Sequence, residues 1–274
     1  MEELKLRGYV CPEDFEGSDA ERIQKAIDTA EAEDIRKVVL RGTYGVDQTL
    51  VIPDQTEIVF SADTTLAMKK EEPLFRNRVA SEEDKSSWSF ENSRIYLKAE
   101  GPVNLVGDLW FRHAKYVVLE GLQIQGRLTF EFCREVRMER DEILGRENAV
   151  VIGRGCNNFI MQYLKARAEK SAFVLDPRIE CGPYVIGKDA EIHEIILRDS
   201  ELQGENAVEI GASQEYGVFN CQIDHITTDG NGVVIGDGSG LPAKRFFNLT
   251  ATDLKAGKEE RVLKNDVKHC YFGG

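Results

Sequence analysis

The 274-residue chain reads as an all-β solenoid, a parallel β-helix closed at its front by one α-helix, in a single domain spanning residues 1–274. Three observations predict this. A strand-like pattern recurs at about the length of one solenoid coil, a second pattern alternates with it in phase, and one amphipathic helix precedes both.

The helix comes first. Residues 18–33 place Ile23, Ala26, Ile27 and Ala30 at helical spacing, giving one narrow apolar face. Ser18 with Glu21 fits a capping box, in which each side chain satisfies a backbone N–H that the helix leaves free. A lone amphipathic helix ahead of β-rich sequence is expected to cover an end of the stack, where unpaired strand edges invite another chain. Val38-Val39-Leu40 and the turn Arg41-Gly42-Thr43-Tyr44 then begin the strands.

The first repeated segment runs from Val117 to Ile124 and returns at Val136, Phe159, Ile195, Tyr216, Phe247 and Asn265, separated by 19, 23, 36, 21, 31 and 18 residues. The longest interval holds an insertion at 176–189. Strand alternation sends Val117, Leu119, Val136, Met138, Ile195, Leu197, Tyr216 and Val218 inward. Cys221 and Cys270 share one small position next to a turn, where core packing explains them better than nucleophilic chemistry. The second segment begins at Asn148, Ser171, Asn206 and Asn231. Two alternating patterns mean that each coil feeds at least two sheets, with every strand paired to its counterpart one coil on. Side chains in the Asn148, Ser171, Asn206 and Asn231 column are expected to hydrogen-bond along the axis. The highly charged stretch 69–89 reads as a loop, and Trp110-Phe111 falls near a corner. The pattern stops at Cys270-Tyr271-Phe272 with no capping helix after it, so the last coil is a candidate surface for homo-oligomerisation.

Composition narrows the partners. With 35 basic and 48 acidic residues the net charge is −13, and no basic stripe exists to neutralise phosphates, so nucleic acid is not expected. No run approaches the roughly 18 apolar residues of a membrane helix. The opening Met1-Glu2-Glu3-Leu4 lacks the features of a secretion signal. The cysteines at 11, 133, 156, 181, 221 and 270 have neither close pairs nor metal-ligand spacing. Reduced thiols in a cytoplasmic protein are the expectation, unless a leader has been removed.

The succession from Ser18 to Ile27, followed by Val38-Val39-Leu40 and Gly42-Thr43-Tyr44, resembles the opening of pectin-lyase-like right-handed β-helix proteins. The later coils look most like polygalacturonase-type glycoside hydrolases. That resemblance implies a right-handed coil and inverting hydrolysis of galacturonan or a related glycan by aspartates on consecutive coils. The family's Asp-Asp element falls on Glu205-Asn206-Ala207 after Gly204, and its Gly-His-Gly element on Gly230-Asn231-Gly232. Its Asn-Thr-Asp-Gly element falls near Lys170-Ser171-Ala172, and its Arg-Ile-Lys element is echoed by Arg261-Val262-Leu263-Lys264. The glycines and the arginine match; the aspartates and histidine do not.

An inverting pair needs one acid and one base roughly 6.5–9.5 Å apart. Successive coils lie about 4.8 Å apart, so Glu205 needs a partner on another coil. A relocated site is expected to use Glu205 and Asp229 as its carboxylates, with Arg261, Asn206 and Asn231 binding substrate; Glu147 and Asp224-His225 are further helpers. The plain alternative makes these acids solvated corner residues. Asp199, Asp224, Asp229 and Asp237 match no calcium loop, and His113, His193, His225 and His269 are too scattered for a zinc site, so neither metal nor cofactor is expected. Gly236-Asp237-Gly238-Ser239-Gly240 lacks the lysine of a phosphate loop. Trp110, Phe111, Tyr163 and Tyr184 could stack on sugar rings. The reading is a carbohydrate-active protein, a divergent glycoside hydrolase acting on an oligosaccharide or polysaccharide. The alternative is a non-catalytic glycan-binding or structural assembly protein.

Overall fold

The strands recur because each short apolar segment can bury its inner side chains only against its neighbours one coil away. In the computed structural model, which describes residues 2–78, 92–179 and 190–273, these segments stack into two parallel sheets. A typical coil has a first strand (Ala114–Glu120), a second strand (Gln123–Gln125) and a third strand (Leu128–Glu131). First and second strands belong to one 16-stranded sheet folded along the axis, and third strands form a nine-stranded sheet. The sheets enclose one continuous core that includes Leu119, Leu197 and Val218. Aromatic rings fill its width: Phe111 stacks on Phe130 at 5.5 Å, and Phe130 meets Phe159 edge-on at 5.3 Å. Parallel crossovers of this kind take the right-handed sense.

The front helix spans Asp19–Ala32, with Ser18 as its N-cap. Ser18 N–H donates to Glu21 Oε2 at 2.8 Å and Glu21 N–H donates to Ser18 Oγ at 3.4 Å, completing the capping box. Its apolar face closes the core, and its polar side chains occupy the open strand edge. Gln24 accepts from Val51 N–H at 2.8 Å and donates to Val51 C=O at 3.1 Å, while Asp19 accepts from Gly45 N–H at 2.8 Å. A side-chain amide thereby stands in for the neighbouring strand that the first coil lacks. A short helix at Glu2–Arg7 precedes it.

The bends between strands are made by backbone conformation. One column, Gly121, Arg140, Tyr163, Asp199, His225 and Asp253, turns each first strand into its second strand with φ between 49° and 70°. A second column, Tyr116, Glu135, Asn158, Glu194, Asn220, Asn248 and His269, lies at the start of the first strands, the last of them two residues ahead of Tyr271–Phe272, with φ between 51° and 60°. Each such residue inserts one unpaired position, so ladder partners are counted around it: Lys115 faces Arg134 and Val117 faces Val136.

These insertions correct the expected register of the last coils. One inward column of partners runs through Val117, Val136, Phe159 and Ile195, and the next through Leu119, Met138, Met161, Leu197, Ile223, Ala251 and Phe272. Cys221 and Leu249, rather than Tyr216 and Phe247, continue the inward column, and Cys270 lies beyond them, its Sγ accepting from Leu249 N–H at 3.4 Å. Tyr216 is therefore not a core residue; it is half-buried in a loop under the Arg154 guanidinium, 5.5 Å from its ring. Burial pushes the Cys221 thiol up to about 12, in keeping with a packing role. Within the stretch expected to loop out, Phe75–Asn77 form a third strand, with Phe75 between Leu50 and Leu109. The remainder of that stretch (79–89), and residues 180–189 of the insertion with Cys181 and Tyr184, lie outside the described residues.

Candidate functional site

The corner that leads from second to third strands holds the acids singled out from sequence. Asn206 pairs in register with Asn231, so Asp229 stands over Gly204 and Glu205 lies under Gly230. Asp229 Oδ1 accepts from Gly204 N–H at 3.3 Å, and Glu205 C=O accepts from Asn231 N–H at 2.9 Å. The two acids are thus diagonal neighbours, one strand spacing (about 4.8 Å) and one residue (about 3.3 Å) apart along the backbone, and both are exposed.

Their expected helpers are occupied elsewhere. Asn231 Nδ2 donates to Asn206 Oδ1 at 3.0 Å, and Asn206 Nδ2 donates to Ser171 Oγ at 3.3 Å, forming the axial polar ladder. Ser171 Oγ in turn donates to Glu209 at 2.8 Å. Arg261 pairs in register with Val233 on the third strand and donates from Nη1 to Phe272 C=O at 2.9 Å. It reaches toward the C-terminal segment and does not join Glu205 and Asp229. Glu147 pairs with Lys170 at 3.1 Å on an earlier coil.

Asp224, His225 and Asp253 place one donor atom each within 4.8 Å of one another. His225 uses different nitrogens toward its neighbours, Nδ1 to Asp224 at 3.0 Å and Nε2 to Asp253 at 3.4 Å. Its hydrogen bond to Asp224 raises its pKa, with Asp253 and Asp199 adding to the effect. The ring thus bridges the two carboxylates through its two nitrogens.

A further polar surface was not singled out from sequence. It is the outer face of the second strands, where Asn104, Gln123, Glu142, Lys165, Glu201 and Thr227 form one axial row. Beside it run Val106, Gln125, Leu144, Arg167 and Gln203. Between the rows lies a cleft of about 260 Å³ bordered by Glu142, Leu144, Lys165, Arg167, Glu201 and Gln203. Lys165 Nζ is 4.0 Å from Glu201, Gln125 donates to Asn104 at 2.8 Å, and Leu144 is 51% exposed. The signal in sequence is the alternation of polar residues in each second strand, but segments of three residues are too short to show it alone.

Around the corner from this face, a larger cleft of about 500 Å³ lies between residues 70–73 and Gly107–Trp110, with Arg127 and Thr129 beyond. Of the aromatic candidates, Trp110 is half-buried in this cleft, Tyr163 is 53% exposed at a bend, and Phe111 is core. Arg112 lies 5.1 Å from the Trp110 ring centroid and forms a buried ion pair with Glu131 at 3.0 Å. Beside them, burial pushes the His113 imidazole down to about 4, and the neutral ring stacks on Phe132 at 4.8 Å.

No protein-family model matches the chain, and no curated protein matches it in sequence. Among solved structures it is similar to the tailspike protein of E. coli bacteriophage HK620 in complex with a pentasaccharide. That match has 10% identity over 97% of this chain and 57% of that chain, with a TM-score of 0.64. A variant of the same tailspike matches at 9% identity over 97% and 56% of the two chains, TM-score 0.62. A further variant matches at 11% identity over 90% and 49%, TM-score 0.60. The chain thus spans about half the length of these tailspike chains. The fold is the right-handed parallel β-helix; a polygalacturonase-type relationship is not part of these findings.

Proposed function

We propose that the protein binds an extended carbohydrate along the outer face of its second strands. The observation that carries this reading is the pair of axial rows, which set hydrogen-bonding side chains (Asn104, Gln123 with Gln125, Glu142, Lys165 with Arg167, Glu201 with Gln203, and Thr227) on successive coils. A polymer of sugar units presents hydroxyls at regular intervals, and rigid strands hold matching donors and acceptors at a fixed spacing of about 4.8 Å. The tailspike that shares this fold was solved with a pentasaccharide, which supports the ligand class by analogy of fold alone.

Screening oligosaccharides on an array, followed by calorimetry, tests the proposal. Lys165→Ala and Arg167→Ala, both on exposed positions, are each expected to weaken binding by about tenfold, equivalent to ~1.4 kcal/mol. Absence of binding to every glycan, with the fold intact, would overturn it and leave an assembly role.

Hydrolysis is the second reading, favoured by the diagonal placement of Glu205 and Asp229. It requires turnover of a glycan that binds the face and its loss in Glu205→Gln.

A further inference from the structure

We infer that the cleft beside Trp110 is a ring-stacking subsite for a pyranose unit of the same glycan, an extension that rests on the carbohydrate reading above. Its volume of about 500 Å³ lies within the roughly 300–1,000 Å³ of small-ligand sites. The cleft is continuous with the second-strand face. Asp108 and Arg127 form its corner wall, joined by the Arg127 N–H to Asp108 Oδ1 bond at 2.7 Å, and each lies one glycine beyond Val106 or Gln125 of the outer row. The coil of Gln123 and Arg127 adjoins the coil of Glu142. A chain lying along the face therefore reaches Trp110 without leaving the surface.

The chemistry of the walls matches a sugar ring. A pyranose has an apolar C–H face and a rim of hydroxyls, and the cleft offers an indole together with Lys70, Glu71, Glu72, Asp108 and Arg127 as donors and acceptors. The indole is also held in place. Arg112 stacks on it, Glu131 fixes Arg112 from a fully buried position, and buried Asn77 clamps the Arg112 backbone, accepting from its N–H at 2.8 Å and donating to its C=O at 2.6 Å. A buried ion pair is a poor source of net stability but an effective means of fixing geometry. The Trp110 Nε1–H is itself buried and has no acceptor among the described residues.

Trp88 and Trp110 are the two tryptophans of the chain, so Trp88→Phe makes Trp110 the sole indole emitter. Methyl glycosides of glucose, galactose, N-acetylglucosamine and rhamnose are titrated into this variant, alongside the oligosaccharides that bind the wild type. A saturable change in Trp110 emission is expected, with about a tenfold loss of affinity by calorimetry in Trp110→Ala and in Asp108→Ala at the half-buried wall position. An oligosaccharide that binds with Lys165-dependent affinity while Trp110 emission and the Asp108→Ala affinity stay unchanged overturns the subsite and leaves the groove standing. If no saccharide binds at all, both readings fall.

Discussion

Glu131→Ala is expected to destabilise the protein by about 3–5 kcal/mol, the cost of leaving a buried guanidinium without its carboxylate. Glu131 is fully buried and the Arg112 side chain is 8% exposed, so solvent cannot take over the lost interaction. The effect should extend beyond stability. Arg112 supports the Trp110 ring, and its loosening should shift tryptophan emission in the folded protein. The measurement is a denaturant melt with emission read below the transition. A double variant, Arg112→Met with Glu131→Leu, removes both charges and should recover much of the lost stability. If Glu131→Ala melts like the wild type, the ion pair is not fixing this part of the coil.

Asp141 should make stability depend on pH in a direction opposite to that of ordinary acid denaturation. It stands in the inward column between Leu122 and Leu164, a position fixed by the ladder pairs on either side, and is 1% exposed. Oδ1 accepts from Leu122 N–H at 2.9 Å, and Oδ2 has no hydrogen-bond partner among the described residues. Burial pushes its pKa from 3.8 up to about 7, with Glu120 adding to the rise and Arg140 opposing it. The folded state therefore keeps a proton that the unfolded chain releases. This group's contribution is greatest below the unfolded value and is lost as pH climbs through the window from 3.8 to about 7. Asp141→Asn, neutral at every pH, should abolish that slope. At about pH 9 it should exceed the wild type by a few kcal/mol, with little difference near pH 4. Melts of both proteins across this range check the prediction, and parallel curves would sink it.

Where a residue type repeats at matching positions, the sequence discloses the architecture directly. Asn148, Ser171, Asn206 and Asn231 are aligned by their neighbours and do form one column. Ser18 and Glu21 mark the helix start for a similarly local reason. The register of the last coils was harder to read, because Asn220, Asn248 and His269 each interrupt the two-residue alternation without changing its apolar look. Phe75 was hidden by the charges around it, since a three-residue strand carries almost no pattern. Glu205 and Asp229 do lie together where second strands lead to third strands, while Asn206 and Asn231 bond along the axis. Arg261 belongs to a register position that only pairing along the whole stack reveals. Arg112, Glu131 and Asp141 look like surface charges in sequence, and their burial is a property of the coil as a whole.

The left-handed column that runs from Gly121 through Arg140, Tyr163, Asp199 and His225 to Asp253 separates shape from chemistry. Its contour is set by main-chain torsion, and six residues, from glycine to arginine and tyrosine, all serve it. Along this ridge the protein can therefore alter its charge, aromaticity or proton affinity one coil at a time, while the scaffold beneath keeps the same path.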